Sequence, residues 1–459
     1  MNLSSTPFRR LPLSFVATAT LLATACGLDG GSPTNDAGVT DLGAHDGAAM
    51  DGSAPDAGVD SGADAAADMD VLDMPDLGCV SPRHMCGDVC ATCPTTPGTL
   101  AIDCEATECV AVNCYAGYIL HHGACIPGAW HRETISPVGD TGGLVFQQDI
   151  DIALDSSDHV NVAYYDYDNA EVRHAILSGA LWASAPVTAA QPMRAPLSLA
   201  IDSANRPVIA AQLAADDSLM FARYTGSAWE VQTVDAQGRM PSVAIDAAGD
   251  AHVAYFNDET GELRYASWTG SEWTSELVAA TTDYFDGPSL AFGPGDAPSI
   301  AFHDVTTMAL KFARRGESAW TVVTVDDTAD VGNSASLSVD ATGRAHIAYE
   351  DRTAHSLKYA TEGDSAWGTT VLGVPGTNGF TQSLALASDG SYRITHESRS
   401  THTLTYLSPA GSGTRIDTAD DAASVGYHSA LALDSMDFPH IIYTDFAGFG
   451  VKYATLRAE

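Results

Sequence analysis

A segment that reads SVAIDAAGDAHVAYFNDETGELRYASWTGSEW at 242–273 recurs seven times, about every 47 residues, from Trp130 to the C-terminus. Aligned on the Asp of its SVAID run, the copies place Asp155, Asp202, Asp246, Asp340 and Asp434 at one register, with Gly293 and Ala387 in the remaining two. Successive anchors lie 47, 44, 47, 47, 47 and 47 residues apart, so one small unit is iterated and the chain folds as an array. Each unit holds four short apolar segments, in the third copy 242–246, 252–257, 263–267 and 273–278, separated by AAGDA, DETGE and WTGSE. Alternating apolar positions, β-branched and aromatic side chains, and Gly or Asp at each break predict strands joined by hairpins. Four strands in a unit of this length match one blade of a β-propeller. A helical solenoid is excluded because no unit sustains a 3.6-residue period and Gly interrupts each one.

The ends of the array predict how the ring closes. The seventh unit, from Ser429, stops at Glu459 without its Trp-bearing strand, whereas Trp130 to Ile135 has the Trp and spacing of Trp229 to Val234. The expected fold class is therefore all-β: a seven-bladed propeller over 128–459, closed by an N-terminal outer strand that completes the last blade. The SVAID strand would lie innermost and the Trp strand outermost. Because Trp182, Trp229, Trp273, Trp320 and Trp367 recur at one register, they are expected to pack between blades, although a row of exposed glycan-stacking rings is the sharper alternative.

Upstream the composition changes three times. Residues 1–25 carry Arg9 and Arg10 and then LPLSFVATATLLA, an export signal whose apolar run is too short for a membrane span. It ends in Leu22-Ala23-Thr24-Ala25-Cys26, which resembles the lipobox of bacterial lipoproteins, with Ala23 where Leu is commonest. That resemblance implies lipidation of Cys26, and Gly27 in place of Asp implies sorting to the outer membrane. The protein would then be anchored by acyl chains in outer-membrane lipid, exposed at the surface or facing the periplasm. An ordinary secretory signal is the alternative.

Residues 26–78 follow with twelve Asp and no Lys or Arg, a composition that predicts a self-repelling disordered tether spanning on the order of 40 Å. Its irregular Asp spacing does not make a calcium loop. Residues 79–127 hold Cys79, Cys86, Cys90, Cys93, Cys104, Cys109, Cys114 and Cys125, the density of an oxidised extracytoplasmic module. Four disulfides of open connectivity are expected, with zinc on Cys86, Cys90 and Cys93 the alternative. Cys114-Tyr115-Ala116-Gly117-Tyr118 and then Cys125 resemble the close of an EGF-like module, with Val112 where that module has another Cys. A stapled spacer or small binding knob follows from this.

The repeats resemble the BNR or sialidase-like propellers. Ser267-Trp268-Thr269-Gly270-Ser271-Glu272-Trp273 sits where those families carry S-x-D-x-G-x-x-W, one residue shorter and with Thr269 at the Asp position. The resemblance implies the fold more than an activity. A sialidase would need an arginine cluster, yet the 15 Arg from Arg132 onward show no recurrent register. G-x-S-x-G and H-E-x-x-H are absent.

Two registers invite a functional reading. His252, His346 and His440 share one place in the second strand, and a repeated His suggests a structural hydrogen-bond partner. Asp166, Asp304, Asp351 and Asp445 end that strand, with Asn257 in the third unit; they either cap turns or ring the channel mouth as ligand-binding carboxylates. They should open onto the same face as the loops between blades, among them Asp283, Tyr284, Phe285 and Asp286, where an aromatic beside carboxylates suits a sugar or a cation.

With 59 acids against 21 bases and a net charge of −38, nucleic acid is excluded as a partner by long-range repulsion. The expected function is a lipid-anchored, monomeric surface protein that binds an extracellular glycan or protein. The alternatives are a carbohydrate-active hydrolase or lyase and a purely structural surface component. No cofactor is called for; Ca2+ is the one ion the loop acids could hold.

Overall fold

A computed structural model describes the strand segments between 83 and 137 and residues 149–458 apart from 189–190, 282–285, 374–377, 411–412 and 449, with side chains from Ile126 onward. The signal, Cys26, the tether, the side chains of the eight module cysteines, and Asp283, Tyr284 and Phe285 lie outside the described residues. Every element among the described residues is a strand. Six antiparallel sheets of four strands follow one another in chain order, the first from Ile150–Leu154 to Leu181–Pro186 and the sixth from Asn378–Leu386 to Gly413–Asp420.

The seventh sheet is completed from the other end of the array. Val425–Leu433, Pro439–Asp445 and Gly450–Ala458 are joined by Ala124–Pro137, whose Trp130 pairs Leu456 and whose Gly128 pairs Ala458. This closure is the one predicted from the missing Trp strand. The added strand begins before residue 128, because its first residues pair with Tyr118–His121, a hairpin from the cysteine-rich segment.

The core lies between blades. Seven clusters of buried apolar side chains each bridge two adjacent sheets, as where Ile150, Val162 and Tyr164 of the first blade meet Ile442, Val451 and Tyr453 of the seventh. A blade buries its two faces only against its neighbours, which makes ring closure a condition of burial. Six of the seams are stoppered by an outer-strand Trp set edge-on to a ring of the preceding blade: Trp182 on Tyr453, Trp229 on His174, Trp273 on Phe221, Trp320 on Tyr265, Trp367 on Phe312 and Trp130 on Tyr406, with centroids 5.0 to 5.6 Å apart. At the remaining seam Thr414 takes the Trp register. Tyr392 fills the space there, its ring 4.9 Å from Tyr359 and its hydroxyl 2.7 Å from Thr414 Oγ1.

The innermost strands are tied by a second device. Val243 N–H donates to Ser198 Oγ at 3.1 Å, and the amides of Leu290, Leu337, Leu384 and Leu431 donate in turn to Ser242, Ser289, Ser336 and Ser383 at 3.0 Å. Each serine thus accepts an amide of the next blade. In the first blade the register holds Asp151, whose Oδ2 accepts Leu199 N–H at 2.7 Å while its Oδ1 accepts Ile152 N–H at 2.8 Å. The latter contact has a reason: the seventh blade has Ala430 at this register, which offers Ile152 nothing.

The turns after the innermost strands also link blades. Their fourth residue takes a positive φ, as at Gly249 (88°), Asn205 (59°), Asp437 (64°) and Asp158 (62°), which Gly, Asn and Asp tolerate. Where it is Asn or Asp, its side chain accepts an amide of the preceding blade, Ser156 for Asn205 and Ser435 for Asp158.

Asp151→Ser should leave Ile152 N–H without an acceptor and destabilise the propeller by about 1–3 kcal/mol. Adding Ala430→Ser should restore most of that loss, since seven serines would then close the ring. Denaturant melts decide it; equal stability of the single and double variants would refute the assignment.

Candidate functional site

The connections between blades bond back to the ends of the second strands and the turns after them, Tyr165 N–H to Asp149 O, Arg352 N–H to Asp330 O and Phe446 N–H to Ser424 O, so both share one face as expected. On it, Asp166 accepts the amides of Asp168 and Asn169, Asp351 that of Ala354, and Asp445 that of Gly448. Asp304 accepts Thr306 N–H, Thr307 Oγ1 and, from the incoming connection, Thr281 Oγ1. All four thus serve as turn caps. Asp286 accepts Ser334 Oγ at 2.6 Å. No group of three or more His, Cys, Asp or Glu with metal-holding geometry occurs among the described residues.

The register next to those caps was not singled out from the sequence. It holds Tyr165, Gln212, Phe256, His303, Glu350, Glu397 and Thr444, all buried, and changes chemistry from blade to blade. Change of chemistry at a buried position of an aligned repeat is a signal that the sequence carries. Glu350 is the most perturbed: burial first, then the carboxylates of Asp286 and Asp330, push its carboxyl up to about 7 against Arg352 and Arg399.

The opposite face, where the innermost strand turns into the second, has a cleft of about 880 Å3 between the third and fourth blades. Glu276, from the outer strand Trp273–Ala279, meets Arg315, from the third strand Ala309–Arg315 of the next blade. The guanidinium is bidentate, with Nε 2.6 Å from Glu276 Oε1 and Nη2 3.1 Å from Oε2, and Nη1 donates to Gly316 O at 2.7 Å. Trp320 Nε1 donates to the same carboxylate at 2.9 Å. This pairing, before burial, holds the Arg315 pKa above its ordinary value. The equivalent seam between blades seven and one keeps Trp182 on Glu133 at 3.1 Å but has Leu177 in place of the arginine.

The floor of the cleft contains Tyr265 and His252. His252 Nε2 lies 3.2 Å from Asp246 Oδ2, so that nitrogen carries the proton and Nδ1 accepts the Tyr265 hydroxyl at 2.6 Å. The same Asp–His–Tyr chain recurs as Asp340, His346 and Tyr359, and as Asp434, His440 and Tyr453. The repeated histidines are hydrogen-bond partners within their own blades.

No family model matches the chain, and no curated protein matches it. Among solved structures it is similar to the fucose-specific lectin from Aleuria aurantia, at 14% identity over 60% of this chain and 96% of that one, with a TM-score of 0.43. It is similar to polysaccharide lyase Uly1, at 9% identity over 69% and 91% with a TM-score of 0.46. A protein of unknown function from Dyadobacter fermentans matches at 11% identity over 58% and 95% with a TM-score of 0.44. These likenesses are of fold.

Buried carboxyls give the fold a pH signature. Burial pushes Asp149 up to about 7 and Asp151 up to about 6, in line with Glu350. Against the effect of burial, Lys358 and Tyr349 hold Asp326 down to about 2, and hydrogen bonds from Thr342, Arg344 and His346 keep Asp340 below its ordinary value. Raised carboxyls contribute stability that is complete below their unfolded pKa and lost as pH rises through the folded one. Lowered carboxyls contribute stability that is lost as pH falls through theirs. Tm should therefore be highest at about pH 4, the unfolded carboxyl range, and fall both as pH rises to about 7 and as it drops toward about 2. A Tm that climbs steadily from about pH 5 to about pH 8 would contradict this ordering.

Proposed function

We propose that this propeller is a glycan-binding module that takes neutral sugars in the cleft between its third and fourth blades. The observation that carries the reading is the fixed Glu276–Arg315–Trp320 cluster beside Tyr265. The guanidinium uses three N–H groups on Glu276 and Gly316, which leaves two to donate to sugar oxygens, while the carboxylate, which accepts Trp320 as well, keeps one acceptor position on Oε2 for a sugar hydroxyl. Pre-oriented donors and acceptors side by side suit a pair of neighbouring hydroxyls. The charge of Arg315 is neutralised by Glu276, and Asp296 and Glu317 also border the cleft. Acidic and sulfated sugars are disfavoured accordingly, the more so by a chain of net charge −38.

In this reading Cys26 anchors the protein by its acyl chains in the outer membrane, and the acidic tether holds the propeller away from the lipid surface. Both rest on the sequence of residues 1–78. Cys26→Ser should move the protein from the detergent-extracted membrane fraction to the soluble one; retention in the membrane would refute lipid anchoring at this residue.

A panel of neutral, uronate-containing and sulfated glycans tests the cleft. Neutral glycans should bind, and Arg315→Ala or Glu276→Gln should weaken them by roughly tenfold or more, the effect of losing a charged hydrogen bond. Binding untouched by either substitution, or a preference for acidic glycans, would overturn the assignment.

A further inference from the structure

The axis of the propeller has a cavity of about 150 Å3 that the cleft reading does not use. At one level its wall consists of Asp151, Ala430 and five serines, Ser198 to Ser383, and at the next it includes Gln382 and His428. Gln382 is only 4% exposed. Its Nε2 donates to Asn333 O and Ser334 O, each at 2.8 Å, which uses both amide hydrogens and fixes the orientation of the group. Its Oε1 is then a buried acceptor with no hydrogen-bond partner on the protein. A buried carbonyl oxygen left so is costly, and native folds give such atoms a partner.

The rest of the wall points to the nature of that partner. Each serine accepts a backbone amide and retains a further lone pair. Asp151 adds a carboxylate, and neither Lys nor Arg lines the cavity. Its oxygens are hard ligands of the kind alkali and alkaline-earth ions take: carboxylate, amide carbonyl and hydroxyl. The volume corresponds to about five water molecules, enough for an ion that keeps part of its hydration shell. A net charge of −38 concentrates such ions at the protein.

We infer that the axial channel is a binding site for a partly hydrated alkali or alkaline-earth cation, held by the Gln382 carbonyl oxygen, the Asp151 carboxylate and the serine hydroxyls. The ion would lie against the innermost strands and add to the ring of inter-blade bonds. It is a site of few charges, distinct from the loop carboxylates on the face above.

Thermal melts of the full chain in sodium, potassium, magnesium or calcium chloride, against choline chloride at matched ionic strength, test the site. At least one inorganic cation should raise Tm by about 2 °C or more. Asp151→Asn and Gln382→Met should each remove that increment while still melting cooperatively in choline. Identical Tm in every salt, or an increment that persists in both variants, would overturn the proposal. Crystals of the unaltered protein soaked in thallium or rubidium chloride give an answer that does not depend on the variants folding. An anomalous peak on the axis between Asp151 and Gln382 supports the site, and water density without one refutes it.

Discussion

A four-stranded blade has two apolar faces and cannot bury either alone, so the whole molecule depends on the joint between one blade and the next. That joint has an apolar part, the seven clusters between sheets, and a directional part, the amide of one innermost strand held by a serine of the strand before it. Packing alone tolerates sliding, whereas a hydrogen bond of 3.0 Å at the same register of successive blades sets their relative height. The hairpin turns on one face repeat the logic through Asn205 and Asp158. A repeat interval that varies by only one short unit is the outcome, because a longer or shorter inner strand would break two joints at once.

The last joint is where the chain's two ends meet, and there the repeat departs from itself. Ala430 lacks the hydroxyl, and Asp151 supplies acceptors to Ile152 and to Leu199 together. A carboxylate can do this because it has two oxygens where a serine has one. Burying it raises its pKa, so the same residue that repairs the seam places a proton-sensitive charge on the axis. The closing strand Ala124–Pro137 secures this seam from the rim through Glu133, which receives Trp182, while its Trp130 on Tyr406 seals the seam between blades six and seven.

Fold and site were legible to different depths for a physical reason. Blade number, strand order and closure follow from spacing and from one displaced Trp strand, both properties of the linear chain. In the sequence the inner serines are no more than a recurring residue of the SVAID-like run; their hydrogen bonds are made across 45 to 48 residues, a separation that periodicity does not translate into contact. Tyr392, which fills the seam where Thr414 replaces Trp, belongs to a different strand from the residue it substitutes for. The cleft was hidden more deeply. Glu276 and Arg315 stand 39 residues apart, at two registers that are each unremarked alone. Only the lateral offset of one blade against the next brings them together.

Symmetry in this fold works against specificity, since a side chain with a structural role recurs. The Asp–His–Tyr chains within blades three, five and seven have nearly the same geometry, yet an 880 Å3 cleft is described beside that of blade three. What distinguishes that seam is Arg315, whose counterparts at the other outer-strand pairings are Leu177, Tyr224, Trp268, Glu362, Pro409 and Leu456. Arginine there can span the gap to Glu276 without displacing the tryptophan that seals it. One exception at a permissive register therefore converts a structural seam into a polar recess, while the hydrogen bonds beneath it remain those that blades five and seven also have.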